Sequence, residues 1–167
     1  ILVQQKKDGL VAGYILDEAK DKMVANEAAM AIVYSGDALY AMDKNEKLAY
    51  AVPNEGSNIW VDGMCIPKGS QNKAAAEAYI NFLCDPAISG ENLDYLGYST
   101  PISEAKQYMD PYMAESDVAY PAPETISHGE SFINLDTETS QLMDSLWLEV
   151  KTDTGSTTSL LITLGAV

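Results

Sequence analysis

Apolar positions along the chain switch repeatedly between a helical and a strand-like period, which predicts alternating α and β elements. In GYILDEAKDKMVANE (13–27), Ile15, Ala19, Met23 and Val24 fall near one helical face, so an amphipathic helix is expected. AAMAIVYSGDALYAM (28–42) follows with a short apolar run, Met30 to Val33, which meets small residues at Ser35 and Gly36 before a second helix-like start at Asp37. That profile predicts a strand delivering Tyr34 to the end of a sheet. KLAYAVP (47–53) and NIWVDGMCIP (58–67) read as further strands, the first bounded by Pro53 and the turn-rich NEGSN.

The helical period is clearest in SQNKAAAEAYINFLC (70–84), with Ser70 or Asn72 as cap and Ala76, Tyr79, Ile80 and Leu83 as the inward stripe. Asp85 followed by Pro86 combines a cap with a first-turn proline and starts a new helix. It should stop near LGYST, where Gly97 is placed as a C-terminal glycine and Pro101 forbids continuation. PYMAESDVAYPAPETISHGES (111–131) is rich in Pro, Ser and Asp and reads as a long surface connection with at most a short turn of helix. TSQLMDSLWLEVK (139–151) returns to a helical period with Leu142, Leu146, Trp147 and Val150 inward. From Thr152 the pattern lapses into a polar linker and a short apolar scrap, so 152–167 is expected to be a disordered or foreign tail.

One strand candidate poses a chemical question. In NIWVDGMCIP a period of two puts Trp60, Asp62 and Met64 on one side and Ile59, Val61 and Gly63 on the other. An unpaired ionised Asp costs several kcal/mol to bury, so either a cation meets Asp62 or the strand end stays open to water. Charge bears on which. With 25 acidic against 10 basic residues and a pI near 4.1, the surface should repel nucleic acid and draw cations, although acidity also serves plain solubility. No apolar run approaches the roughly 18 residues of a membrane span; the longest candidate, Leu160 to Val167, is interrupted by Thr163 and Gly165. Cys65 and Cys84 show no CxxC or Cys/His spacing, so buried free thiols are expected rather than a metal site or a disulfide framework.

Enzyme chemistry finds little to build on. The one histidine, His128, lies in the Pro/Ser-rich connection and reads as a solvated loop residue, which leaves no Ser-His-Asp or Cys-His arrangement. SGDAL and DGMC lack the spacing of a phosphate cradle. Asp37 and Asp62 could form a hydrolase pair, but acidic pairs are common coincidences in an acidic chain. What remains is a set of aromatics at strand ends or turns, Tyr34, Trp60 and Tyr98, with Asp37 and Asp62 nearby in the pattern. Two readings of that set stay open: a box in which aromatic faces and a carboxylate hold an organic amine, or core aromatics with Asp62 capping a neighbouring turn.

AAMAIVYSGDALYAM, LAYAVPNEGSNIWVDGMCIPKGSQNKAAAEAYINFLCDP, LGYSTP and YPAPETI resemble, in order and spacing, the second half of the spermidine/putrescine-binding proteins of bacterial ABC importers, over about residues 10–151. The resemblance implies an α/β, periplasmic-binding-protein-like type II two-lobe fold, present as an incomplete C-terminal portion. Residues 1–58 and 106–151 would then belong to the second lobe and 59–105 to the first, whose other strands and ligands lie upstream. By the same resemblance Tyr34, Trp60 and Tyr98 pack against a polyamine and Asp62 binds an amine, with Ser35, Asp37 and Phe132 as secondary candidates. HGESFIN (128–134) matches the late binding segment, with Ser131, Phe132 and Ile133 where some members place Trp and an amide. The implied protein is no enzyme, uses no cofactor or metal, binds no nucleic acid, works in the periplasm or at the outer face of the cell membrane, where a lipid anchor upstream could hold it, and hands its ligand to a membrane permease. Another solute of the same fold class, a small cation or a sugar, is the alternative.

Overall fold

The computed structural model describes residues 1–152; of the tail expected at 152–167, Thr152 instead closes the last helix and the rest lies outside the described residues. Two compact units divide the chain, one from residues 1–16 with the segment after 132, the other from 17–132.

The first unit pairs α1 (Leu2–Lys7) with α8 (Thr137–Thr152). Asp136 caps α8: its carboxylate accepts from the Thr139 amide at 2.8 Å and the Thr139 hydroxyl at 2.9 Å. Those bonds, the amide foremost, hold the Asp136 carboxyl below its ordinary value. At the other end, the Lys6 ammonium donates to the carbonyls of Val150 and Lys151, meeting acceptors that the helix leaves open. Tyr14 sets its ring edge-to-face with Trp147 at 5.1 Å. Of the four residues expected inward on this helix only Val150 is buried; Leu142, Leu146 and Trp147 stay exposed.

The second unit carries α2 (Glu18–Val24), α3 (Ser35–Lys44), α4 (Lys73–Leu83), α5 (Pro86–Leu96), a 3₁₀ turn (Ser103–Tyr108), α6 (Pro111–Ala114) and α7 (Pro123–Ser127). The expected helix over 13–27 forms only from Glu18, burying Ala19 against α3 and leaving Ile15 exposed. Helix α3 begins at Ser35, two residues before the expected start at Asp37. Helix α5 follows its sequence signals: the Asp85 side chain accepts from Ala87 and Ile88 amides, Pro86 takes the first turn and Gly97 ends the helix at φ +77°. Helix α4 follows Asn72 as expected, yet buries none of its residues, and Tyr79 stands exposed.

Two expectations need correction. Residues 111–131 are no mere surface connection. Met109, Met113 and Ala119 from this region and its approach close with Leu39 of α3 into the core cluster, with Leu93 of α5 and Tyr120 packed against it. The Pro, Ser and Asp content correctly signalled turns, but two methionines and an alanine between them supply the apolar mass. The strands expected at 30–33, 47–53 and 58–67 also fail to form a ladder: the described sheet is two short parallel strands, β1 (Ser57–Asn58) and β2 (Gly129–Glu130), extended by the Ile59 amide donating to the Glu130 carbonyl. A strand needs a partner edge; among the described residues segments 30–33 and 47–53 find none, and 58–67 finds one only at Asn58 and Ile59.

Segments 30–33 and 48–51 instead line an open, mostly apolar hollow of about 470 Å³, in which Met30 and Ile32 stand 88% and 102% exposed. Cys65 and Cys84 are free and exposed rather than buried. Cys65 lies in the extended stretch that lacks sheet cover, and Cys84 directly follows the uncovered α4. Among the described residues no helix is long and apolar enough to cross a membrane.

Candidate aromatic binding site

Tyr34, Trp60 and Tyr98 come from three separate stretches of the second unit and meet. Trp60 stands in the middle, edge-to-face with Tyr34 at 5.9 Å and with Tyr98 at 5.5 Å. Each ring owes its place to local structure. Tyr34 is the N-cap residue of α3, held in an extended conformation (φ −69°, ψ 154°) while its carbonyl accepts the Ala38 amide. Trp60 follows β1, where pairing with β2 ends. Tyr98 follows α5 directly: the left-handed Gly97 turns the chain, and both the Gly97 and Tyr98 amides donate to the Leu93 carbonyl, at 2.9 and 3.2 Å.

Close approach to the backbone completes the geometry. A Cβ on Gly36 would fall 2.4 Å from the Tyr98 ring, so this ring lies directly on the first turn of α3, and only glycine leaves that space. Ser35, the neighbouring secondary candidate, is half-buried at the start of the same helix. Neither Tyr34 nor Trp60 is a core aromatic: they remain 45% and 39% exposed.

Charge around the rings is negative. Burial foremost, then the charge of Asp37, followed by Tyr34, Asp62 and Asp17, pushes the Tyr98 phenol above its ordinary value, keeping it a neutral hydroxyl. The two acids expected at the site differ in one respect. Asp37 sits in the first turn of α3, where it complements the helix dipole, and faces the Lys20 ammonium at 3.6 Å; Lys20 in turn donates to the Asp17 carbonyl at 2.8 Å. Asp62 is exposed and makes no hydrogen bond or ion pair with the described residues. It therefore caps no turn. The question posed by its neighbour Trp60 resolves physically: among the described residues no cation meets this carboxylate, and it stands exposed.

Phe132 is not in ring contact with the three aromatics. It stands 88% exposed at a separate shallow hollow of about 370 Å³ together with Glu55, Asn58, His128, Glu130 and Ser131. His128 follows α7 and is exposed, as a loop residue. No three His, Cys, Asp or Glu side chains gather as a metal-ligand set among the described residues.

Sequence patterning left out four residues that shape this region. Lys20 neutralises Asp37, Gly36 admits Tyr98, and Thr100 and Tyr120 hold the turn that carries it. Only the small-residue step at Ser35–Gly36 could have signalled any of them, since the others act through contacts between distant elements.

Rings and an unmatched carboxylate gathered at an open surface make an arrangement for holding a solute, and the comparisons name the class. A family model for bacterial extracellular solute-binding proteins matches residues 1–122, and the chain belongs to this family. It is 32% identical over 120 residues to the spermidine/putrescine-binding periplasmic protein of Salmonella typhimurium, covering 72% of this chain and 34% of that protein. The putrescine-binding periplasmic protein SpuD of Pseudomonas aeruginosa is 28% identical over 128 residues, covering 73% of this chain and 35% of SpuD. Among solved structures, PotD, the substrate-binding protein of a spermidine/putrescine ABC transporter from Streptococcus pneumoniae, matches at 38% identity and a TM-score of 0.71 over 81% of this chain and 42% of PotD. A Listeria monocytogenes chain matches at 30% identity and a TM-score of 0.80, over 90% of this chain and 46% of that one.

The chain thus spans about a third of the length of the curated relatives it matches. Its fold is a portion of the periplasmic solute-binding α/β type, as expected, and the missing ladder partners of segments 30–33 and 47–53 are in keeping with that share.

Proposed function

We propose that the protein binds a polyamine, putrescine or spermidine, outside the cytoplasm and presents it to the membrane permease of an ABC importer, without catalysing a reaction and without contacting nucleic acid. The observation that carries this reading is the unpaired Asp62 carboxylate in a cluster whose rings, Tyr34, Trp60 and Tyr98, remain accessible or half-buried. A ligand ammonium pairs with Asp62, and its methylene chain lies along the ring faces. Each aromatic face contributes roughly 0.5 to 2 kcal/mol toward an alkylammonium, and the carboxylate supplies the formal charge that rings lack. The names of the relatives support the same ligand class. Two lobes, 1–58 with 106–151 and 59–105 with residues supplied from elsewhere in the whole protein, would close on the ligand, and excluding water strengthens each ion pair.

Calorimetry with putrescine and spermidine at moderate salt tests the reading. Asp62→Asn should weaken binding by about 2 to 4 kcal/mol, because it removes the charge partner of an amine that becomes desolvated on closure. An unchanged dissociation constant refutes the role of Asp62. Heat with another small cation or a sugar, and none with either polyamine, moves the ligand assignment to that solute.

A further inference from the structure

Tyr98 reaches Trp60 from a turn, and turns hold a side chain only as firmly as their backbone is tied. The turn 97–102 is tied at both ends and in the middle. Its start is closed by the two amides on the Leu93 carbonyl. At its centre the buried Thr100 uses all its polar groups save its carbonyl: its hydroxyl shares a 2.8 Å hydrogen bond with Ser89 of α5 and accepts the Ile102 amide at 3.1 Å, while its own amide donates to the Tyr120 hydroxyl at 3.1 Å. Tyr120 is fixed in its turn. Its hydroxyl donates to the Met109 sulfur at 3.4 Å, its ring packs on the core cluster, and the Lys106 ammonium sits 3.4 Å from the ring centroid.

We infer that Tyr120 is a positioning residue for the ligand-facing aromatic cluster: through the Thr100 amide it fixes the turn that lays Tyr98 over Gly36 and against Trp60. Tyr98 is two residues from Thr100, and its ring lies so close on Gly36 that a shift of the turn changes that contact directly. Among the described residues the Thr100 amide donates to the Tyr120 hydroxyl alone, so removing that hydroxyl leaves a buried donor unpaired and frees the turn to shift toward water. Tyr120 forms no ring pair with the three aromatics of the site, which separates its role from theirs. For ligand binding, the inference rests on the polyamine reading above.

The test uses the 167-residue chain carrying Trp147→Phe, so that Trp60 is its only indole and reports on its ring neighbours. Without ligand, Tyr98→Ala should shift Trp60 emission to longer wavelength by exposing the indole, and Tyr120→Phe should reproduce a substantial part of that shift while retaining the ring and its Lys106 contact. Calorimetry then closes a double-mutant cycle. Tyr120→Phe should weaken putrescine or spermidine binding about five- to tenfold with Tyr98 present and less than twofold in the Tyr98→Ala background. Emission unchanged by Tyr120→Phe, or an equal affinity loss in both backgrounds, overturns the inference. If the wild type gives no heat with either polyamine, the functional reading falls and the ligand-free emission alone decides the positioning role. Should Tyr120→Phe not fold, Met109→Leu, which keeps the apolar bulk but removes the sulfur that accepts from the Tyr120 hydroxyl, takes its place with the same expected direction and a smaller shift, and no shift in that variant overturns the inference.

Discussion

Two regions of the second unit both carry large apolar residues and have opposite fates, and the more apolar of the two is the uncovered one. From Asp85 to Tyr120, α5 packs closely on the 3₁₀ turn, Met109, Met113 and Ala119 share the core cluster, and side-chain hydrogen bonds of Asp85, Thr100 and Tyr120 tie the turns. Segments 30–33 and 48–51 hold Met, Ile, Val and Leu in extended runs that remain around an open hollow, with Ile32 fully exposed. Hydrophobicity alone does not distinguish them. The difference lies in where each backbone finds its hydrogen bonds: a helix closes its own, so its apolar face needs only something to pack on, whereas a strand without a neighbouring edge keeps open donors and acceptors and cannot organise a buried face.

That contrast can be broken by mutation. Met113→Ala should cost about 2 to 5 kcal/mol in chemical denaturation, the range for emptying a packed methionine site, whereas Ile32→Ala should stay within about 0.5 kcal/mol because its side chain buries nothing here. A loss at Ile32 equal to that at Met113 would show that the run is covered in the protein measured, by another copy or by further chain. A smaller effect is expected at the boundary between the two regions. Lys20→Ala removes the 3.6 Å partner of Asp37; as this pair is partly exposed, stability should fall by at most about 1 kcal/mol, while the freed charge should raise polyamine affinity about two- to fivefold. Weaker binding in this variant would instead assign Lys20 a structural role in keeping α2 on α3.

The smallest effect follows from Tyr98. Because burial and the surrounding acids favour its neutral form in the folded chain, the unfolded chain ionises this phenol first as pH rises. Its contribution to stability is therefore complete below the ordinary tyrosine range and declines as pH climbs through that range toward the raised folded value. Tyr98→Phe should flatten that part of the pH–stability curve, and an unaltered curve would mean that other groups govern alkaline unfolding.

Much of the local structure was legible before any coordinates. Asp85 with Pro86, Gly97 and the stripe after Asn72 marked helix ends within a residue or so, because caps and glycine turns act through neighbours in the chain. The spacing of Tyr34, Trp60, Asp62 and Tyr98 marked the candidate site, although Phe132 turned out to lie at a different hollow and Asp37 to have a lysine beside it. The expected strands were read from β-branched and alternating residues, a signal that cannot say whether a partner edge exists.

By itself, then, the order of residues determined the start of α4 and both ends of α5, the family likeness and which aromatic and acidic side chains were worth watching, since all of these depend on short-range bonding or on pattern. Only the tertiary structure decided that Met109, Met113 and Ala119 make the core, that Asp62 stands unpaired while Asp37 does not, and that Tyr98 is steered by Tyr120 at a distance of 22 positions along the chain. The physical reason is common to all three: burial, ion pairing and ring contact depend on separation in space, and separation along the chain does not set it.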